Sequence, residues 1–203
     1  MQINLFDDPV FKGQLLPFTF TRPVAAIRIG ILTIAEKWGH FGFEVGYQTE
    51  DYLSTKYPSN QSSIKVNGAL IPSLDMVNAI KALQPGESLT KEEAIIASNG
   101  NASNKIEFAG QALFIENSWD IFKYNKPQIE ADFAIITKGK TSQEISDPHT
   151  VVYGKENLFL EEGASIKAAI INAEHGPVYI GKNATVHEGS IINGAFALCE
   201  SSH

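Results

Sequence analysis

The chain has only one cysteine, Cys199, in 203 residues. A single thiol excludes a disulfide framework within the chain and a metal cluster held by several thiolates. No apolar run approaches the roughly 18 residues that cross a bilayer, and no charged segment followed by an apolar one comes after Met1. We therefore expect a soluble, cytoplasmic protein without a membrane-spanning segment.

Basic residues are also few, because 16 Lys and Arg stand against 23 Asp and Glu, and they do not cluster. Binding to nucleic acid or to an anionic membrane requires a basic patch that displaces counterions, so the net charge of −7 argues against both. A small phosphorylated ligand needs only a few well-placed cations. The length suits one domain of about 150 residues and a smaller second one.

Apolar residues recur at six-residue intervals near the end of the chain. The residues that open these steps are Leu160, Ile166, Ile180, Val186, Ile192 and Leu198. The interval from Ile166 to Ile180 is fourteen residues, or two steps plus two extra residues, and the surplus falls in the turn-forming segment 174–177. Such a period is typical of a left-handed parallel β-helix, in which each short strand buries its opening residue inside a three-sided coil. A pair of ordinary β-hairpins is the alternative.

Only about two and a third coils fit between Leu160 and His203, whereas solenoids need several stacked units and a polar cap. We therefore expect the chain to be a fragment of a longer protein that carries most of the β-helix.

Strand and helix signals alternate before this coil, which is typical of an α/β layer fold. Thr49 is a predicted helix N-cap, and Trp119 is interpreted as a core anchor. The predicted strands are 1–6, 63–66, 94–98 and 111–115, and the predicted helices are 31–38, 49–57, 73–83, 119–124 and 128–137. A polar linker, 141–147, separates a first domain, 1–147, from a second one, 148–203.

A threonine-rich segment bounded by prolines follows the first strand, at the edge where α/β sheets bind ligands. Its amides and hydroxyls, with the guanidinium groups of Arg22 and Arg28, match phosphate oxygens. The alternative is a structural loop whose arginines pair with acidic neighbours. Those neighbours are Asp7, Asp8 and Glu36.

The segment PFTFTRP at 17–23, followed by IG at 29–30, resembles the nucleotide-binding loop of sugar-phosphate nucleotidyltransferases. TIAEKW at 33–38, ENSWD at 116–120 and GAFALCE at 194–200 are similar to a divergent group of UDP-N-acetylglucosamine diphosphorylase/glucosamine-1-phosphate N-acetyltransferase proteins. The resemblance implies a nucleotidyltransferase-like (Rossmann-like) α/β/α domain, followed by the first coils of a left-handed parallel β-helix of hexapeptide repeats.

The resemblance also implies a reaction. N-acetylglucosamine-1-phosphate attacks the α-phosphorus of UTP with Mg²⁺ as cofactor, and UDP-N-acetylglucosamine and pyrophosphate form. The longer protein is expected to form a homotrimer through its β-helix and to use acetyl-CoA for N-acetylation. The residues of that second activity are expected beyond His203.

Three cations are the implied catalytic residues, because nucleotidyl transfer depends on stabilising charge that spreads over the phosphoryl group. They are Arg22, Arg28 and Lys37. The expected substrate contacts are Thr19, Thr21 and Gln14. A solvated surface charge is the alternative for Lys37.

Asp7 and Asp8, at the end of the first strand, are candidate Mg²⁺ ligands, since hard cations favour carboxylate oxygen. Their alternative role is to cap the turn before Pro9. The turn in which the family places a metal-binding Asp reads NGALIP at 67–72 and has no carboxylate.

Two cations of the family pattern are missing. The Arg of its glycine-rich loop falls on Gln14, and the Lys after its conserved Pro falls on Val24. The alternative function is therefore a catalytically degenerate domain that binds nucleotide sugars or assembles the protein, attached to an acyltransferase. A purely structural role in trimer assembly is the third possibility.

Overall fold

The computed structural model describes residues 1–92 and 94–203. The strands β1 to β18 are, in chain order, Gln2–Phe6, Arg28–Ile29, Leu32–Thr33, Glu44–Gln48, Ile64–Asn67, Leu70–Ile71, Glu87–Lys91, Ala94–Asn99, Asn104–Glu107, Leu113–Phe114, Val151–Tyr153, Leu158–Leu160, Ser165–Ile166, Ile170–Asn172, Val178–Ile180, Thr185–Val186, Ile191–Asn193 and Phe196–Leu198. The helices α1 to α5 are Pro9–Gln14, Ile34–His40, Asp51–Ser54, Leu74–Ala82 and Ser118–Ile136. Single 3₁₀ turns lie at Phe18–Phe20, Val24–Ala26 and Lys155–Asn157.

The chain divides into two compact units. The first unit comprises Met1–Arg28 and Leu32–Ile121, and the second comprises Ile29–Ile31 and Phe122–His203. These units are defined by internal contacts, whereas the boundary predicted near residue 148 marks a change of sequence pattern. That boundary stays a prediction.

A six-stranded mixed sheet, in the order β4-β1-β5-β8-β7-β9, forms the centre of the first unit. β1 pairs in parallel with β4 on one side and with β5 on the other. After β1, the chain places β4 on one side of β1 and β5 on the other. Such a reversal of strand order opens a crevice at the carboxyl ends of the parallel strands.

The core of the first unit is built from apolar residues that recur with the period of their element. Ile3 and Leu5 alternate along β1, and Met76 and Ile80 are one helical turn apart on α4. Trp38 of α2 is fully buried, and its indole N–H donates to the Leu70 carbonyl oxygen at 3.2 Å. This bond compensates the buried polar group, so the large ring stabilises the core without an unsatisfied donor.

Two predictions about helices in this region are wrong. α3 begins at Asp51 and is only four residues long, and Thr49 is not its N-cap. Trp119 is not a core anchor, because 66% of its surface is exposed. The remaining predicted helices and strands of the first unit differ from the observed bounds by only a few residues.

α5 is one continuous helix across Pro127, rather than two helices separated at that proline. Proline removes one backbone N–H and crowds the preceding turn, and this is why its position suggested a break. No helix of the described ranges, α5 included, combines the length and the apolar character needed to cross a bilayer.

The second unit contains three parallel sheets through which the chain passes in turn. The sheets are β11-β14-β17, β12-β15-β18 and β13-β16. Paired residues on neighbouring strands are 18 to 21 positions apart. The hairpin alternative is therefore wrong, because hairpin strands pair antiparallel and close in sequence.

Five of the six apolar opening residues of the six-residue steps are buried in the second unit, and Leu198 is half-buried. The sequence pattern missed one of them. Ile171 is fully buried and pairs with Ile192, although it follows Ile166 by five residues rather than six. The coil therefore changes register twice, with one short step before Ile171 and one long step after it.

Candidate functional site

A cavity of about 500 Å³ opens in the first unit where β1 and β4 end. It lies at the carboxyl ends of parallel strands beside the reversal of strand order, which is the usual ligand position in open α/β sheets. Residues from β1, α1, β4, β5 and β8 contribute to its wall. The charged and hydroxyl-bearing residues that line it include Asp7, Lys12, Thr49, Glu50, Asp51 and Lys65.

Asp7 joins three segments around this cavity. Its Oδ1 accepts a hydrogen bond from the Val24 amide at 2.8 Å, and its Oδ2 accepts one from the Thr49 hydroxyl at 2.6 Å. The Lys12 ammonium lies 3.9 Å from Oδ2. Each carboxylate oxygen has two lone pairs, so these two hydrogen bonds do not use the full accepting capacity of the group. Asp7 thus positions the loop at Val24 and the end of β4, and it also lines the cavity.

Burial raises the pKa of Asp7, against the opposing effects of the hydrogen bonds from Thr49 and Val24 and of the Lys12 charge. Removing a carboxylate from water disfavours its charged form. Asp7 is thus a carboxyl group with a perturbed pKa in a cavity, and such groups are frequent at functional sites.

The two cations of the cavity differ in their surroundings. The Lys12 ammonium donates to Glu50 Oε1 at 2.8 Å, so it is held in place. Lys65 lies on β5, half-buried and in register with Ser98 of β8. Among the residues that the structure describes, no carboxylate lies within ion-pair distance of Lys65. Lys65 is thus placed to meet an anionic ligand.

Asp8 has a different role from Asp7. It is the N-cap of α1, and its Oδ1 accepts from the amides of Val10 at 2.9 Å and Phe11 at 3.3 Å. This geometry favours the capping alternative for Asp8. Over residues 1–92 and 94–203, no three His, Cys, Asp or Glu side chains form a metal-binding group. Mg²⁺ is often held by only one or two carboxylates and substrate phosphates, and Asp7 with its remaining lone pairs fits that arrangement.

Arg22 and Thr21 are exposed and do not line the cavity, but their loop is fixed beside it. The Phe20 carbonyl oxygen accepts a hydrogen bond from the Tyr52 hydroxyl at 3.0 Å. On the other side of Arg22, the Val24 amide binds Asp7. Arg22 therefore projects from a short span anchored at both ends to elements of the site.

Arg28 and Lys37 lie outside the cavity. Arg28 forms an ion pair with Glu36 at 3.5 Å, as the structural alternative for this arginine predicts. Lys37 of α2 is only 4% exposed, so the solvated surface position is wrong. Their catalytic roles stay predictions that this geometry does not favour.

Thr19 and Gln14 differ in burial and in the role that the structure allows. Thr19 is fully buried, and its hydroxyl donates to the Lys12 carbonyl oxygen at 2.8 Å, so it supports the backbone of a cavity residue. Gln14 is exposed at the end of α1 and does not line the cavity. Lys12 and Lys65 were missed, because no motif surrounds either lysine and the two are brought together only by strand pairing.

Replacing Asp7 by Asn is expected to change thermal stability in a pH-dependent way. A raised pKa in the folded protein means that the ionised carboxylate destabilises the fold relative to the protonated one. This destabilisation is absent below the unfolded-state pKa of 3.8, grows as the pH rises from there to the raised pKa of the folded protein, and is constant above it. The melting temperature of Asp7→Asn relative to the unmodified protein should therefore increase between pH 4 and pH 7. A constant difference over that range would contradict the assignment.

The mixed sheet and the charged cavity at its strand ends define an α/β protein with a candidate site for a small charged ligand. A family model described as sugar nucleotidyl transferase matches residues 3–141, and the chain belongs to this family. The match confirms the resemblance drawn from the loop after the first strand. No curated protein sequence matches the chain at a significant level.

Proposed function

We propose that the first unit forms nucleotide sugars in the cavity beside β1. An oxygen of a sugar-1-phosphate attacks the α-phosphorus of a nucleoside triphosphate in line, the bond to the β-phosphate breaks, and pyrophosphate leaves. The observation that carries the proposal is a cavity at the strand-order reversal, lined by Asp7, Lys12 and Lys65, in a member of the sugar nucleotidyl transferase family.

The cations of the site act on phosphate charge. Positioning and electrostatic stabilisation supply most of the catalysis in phosphoryl-group transfer. Lys12, held by Glu50, is a fixed positive charge, and Lys65 offers an ammonium group from the sheet. Arg22 belongs to a loop anchored beside the cavity and can close on the bound phosphates with a fork of donors.

The residues present fit Mg²⁺ as the cofactor of this reaction. The described lining contains two lysines against three carboxylates, so it does not neutralise a triphosphate by itself. Asp7 would hold the ion together with substrate oxygens. The ion, when bound, neutralises phosphate charge and orients the phosphates.

The particular substrates follow from the sequence resemblance. We assign UTP and N-acetylglucosamine-1-phosphate, with UDP-N-acetylglucosamine as the product. We assign the second unit to coils of a left-handed β-helix of a trimeric, acetyl-CoA-dependent acetyltransferase. Parallel sheets with partners 18 to 21 residues apart support the β-helix in this assignment, since three six-residue steps make one turn of such a coil. The acetyltransferase activity and the trimer follow from the sequence resemblance.

A second candidate is a nucleotide-sugar-binding module without catalysis. The family's glycine-rich loop is replaced here by α1, where Gln14 is exposed, and Val24 is fully buried where a phosphate-binding Lys is expected. Two cations of the family pattern are thus absent from the positions that carry them.

A pyrophosphate assay with UTP, N-acetylglucosamine-1-phosphate and Mg²⁺ separates the two candidates. We expect turnover by the unmodified protein and a fall in kcat/KM of roughly 10- to 100-fold for Arg22→Ala, since one transition-state donor is lost. Lys105→Ala on the exposed strand β9 is the matched control and should keep full activity. Thermal stabilisation by UTP and Mg²⁺ without turnover would establish the binding module instead. If the protein showed no turnover and no stabilisation, both candidate functions would be overturned.

A further inference from the structure

Large apolar side chains are exposed beside the cavity of the first unit. Phe20 is 60% exposed and Tyr52 is 65% exposed, and both Phe18 and Leu16 on the same loop also face solvent. Soluble proteins seldom leave several large apolar residues together on the surface without a use for them. This patch comprises two short segments, the loop at 16–20 and Tyr52 of α3.

The patch is held beside the cavity by hydrogen bonds. The Tyr52 hydroxyl donates to the Phe20 carbonyl oxygen at 3.0 Å, which joins the two segments. Thr19, between Phe18 and Phe20, donates to the carbonyl oxygen of Lys12, which lines the cavity. Tyr52 directly follows Glu50 and Asp51, two further residues of the cavity wall.

The cavity and the neighbouring apolar patch differ in chemistry. The cavity offers ammonium groups that attract phosphates, whereas the neighbouring patch offers aromatic faces and no charge. A nucleotide has the same division, with anionic phosphates at one end and a flat base at the other. Aromatic side chains bind bases by stacking, and stacking tolerates different bases because every base has a π-face.

We propose that Phe20 and Tyr52 form the base-binding subsite of the nucleotide whose phosphates occupy the cavity. The inference rests on the proposed function and extends it, because it assigns the affinity for the base to stacking. The subsite therefore binds uracil and other pyrimidine or purine bases with similar strength, and selection among nucleotides arises elsewhere.

Comparing ligands with and without a base tests the subsite. Affinities for UTP and for inorganic tripolyphosphate, each with Mg²⁺, are measured by calorimetry on the full chain. We expect Phe20→Ala and Tyr52→Ala each to weaken UTP binding roughly 5- to 100-fold. Tripolyphosphate binding should change less than twofold. Tyr52→Phe keeps the ring, so it should retain most of the UTP affinity even though it loses the bond to Phe20.

Controls separate this inference from the proposed function. Trp119→Ala removes another exposed aromatic residue of the first unit that does not line the cavity, and it should leave both affinities unchanged. Equal loss of UTP and tripolyphosphate binding in Phe20→Ala would overturn the subsite, as would unchanged UTP binding in both alanine variants. Failure of the unmodified protein to bind either ligand would overturn the proposed function itself. Concentration-dependent self-association that Phe20→Ala abolishes, with UTP affinity unchanged, would assign the patch to a second copy instead.

Discussion

Asp7→Asn is expected to lower pyrophosphate formation about 100- to 1000-fold, the size of effect seen when a preorganised electrostatic group is removed from an active site. Asn keeps the shape of the side chain, and its oxygen can still accept the Val24 amide, which Asp7 binds at 2.8 Å. The negative charge beside Lys12 and the carboxylate oxygens available to Mg²⁺ are lost. The fold should therefore survive while the rate falls.

The neighbouring residue provides a matched control for this experiment. Asn caps helices about as well as Asp, so Asp8→Asn should keep α1 and lose less than threefold in rate. Both variants are compared in the pyrophosphate assay over a range of Mg²⁺ concentrations. Asp7→Asn should lose the response to Mg²⁺. An equal loss in Asp8→Asn would show that both carboxylates hold the metal, as the sequence predicted, and would contradict the division of roles found here.

The second large effect concerns the stability of the second unit. Gly30→Ala is expected to lower the free energy of unfolding by about 2–4 kcal/mol. Gly30 has φ of +81°, and an added Cβ would lie 2.7 Å from the Gln128 carbonyl carbon and 2.8 Å from its oxygen. Backbone atoms of α5 cannot move aside as a flexible side chain can. The substitution therefore forces the segment away from the helix.

Two hydrogen bonds are lost when that segment moves. The Gly30 amide donates to Asn125 Oδ1 at 2.9 Å, and the Ile31 amide donates to Asp132 Oδ2 at 2.9 Å. Asp132 is almost fully buried, so losing this donor adds to the cost. Thermal unfolding should show a melting temperature lower by roughly 5–15 °C.

Gly13→Ala is the control for the glycine experiment. Gly13 is exposed on α1, and no atom lies within 4 Å of an added Cβ. Alanine in a helix is favoured over glycine by roughly 0.5–1 kcal/mol, so this variant should be as stable as the unmodified protein or more so. If the two alanine variants had the same melting temperature, the close approach of Gly30 to α5 would not matter for stability.

The parts of the site that could be predicted are those whose residues are adjacent in sequence. Asp7 and Asp8 follow a strand and precede a proline, and this local pattern made them candidate Mg²⁺ ligands. The pattern could not separate them, because the difference lies in tertiary partners. Asp8 binds amides two and three residues further on, whereas Asp7 binds Thr49, 42 residues away.

Roles predicted from local sequence were also wrong where a residue contacts a segment far away in the chain. Thr49 has the side chain of a helix cap, but its hydroxyl is used by Asp7 instead. Arg28 and Lys37 have the charge expected of phosphate-binding residues, yet neither lines the cavity. Charge can be read along a chain, but the direction in which a side chain points depends on the elements packed around it.

What the sequence determined by itself is periodic or local: the alternation of strands and helices, and the recurring apolar residues that a coil of parallel strands buries. These features can be predicted from the sequence because backbone geometry repeats at intervals of a few residues. Only the tertiary structure brought Thr49 and Lys65 to one cavity with Asp7. It did so by pairing β1 with both β4 and β5, and these long-range pairings leave no periodic trace in the chain.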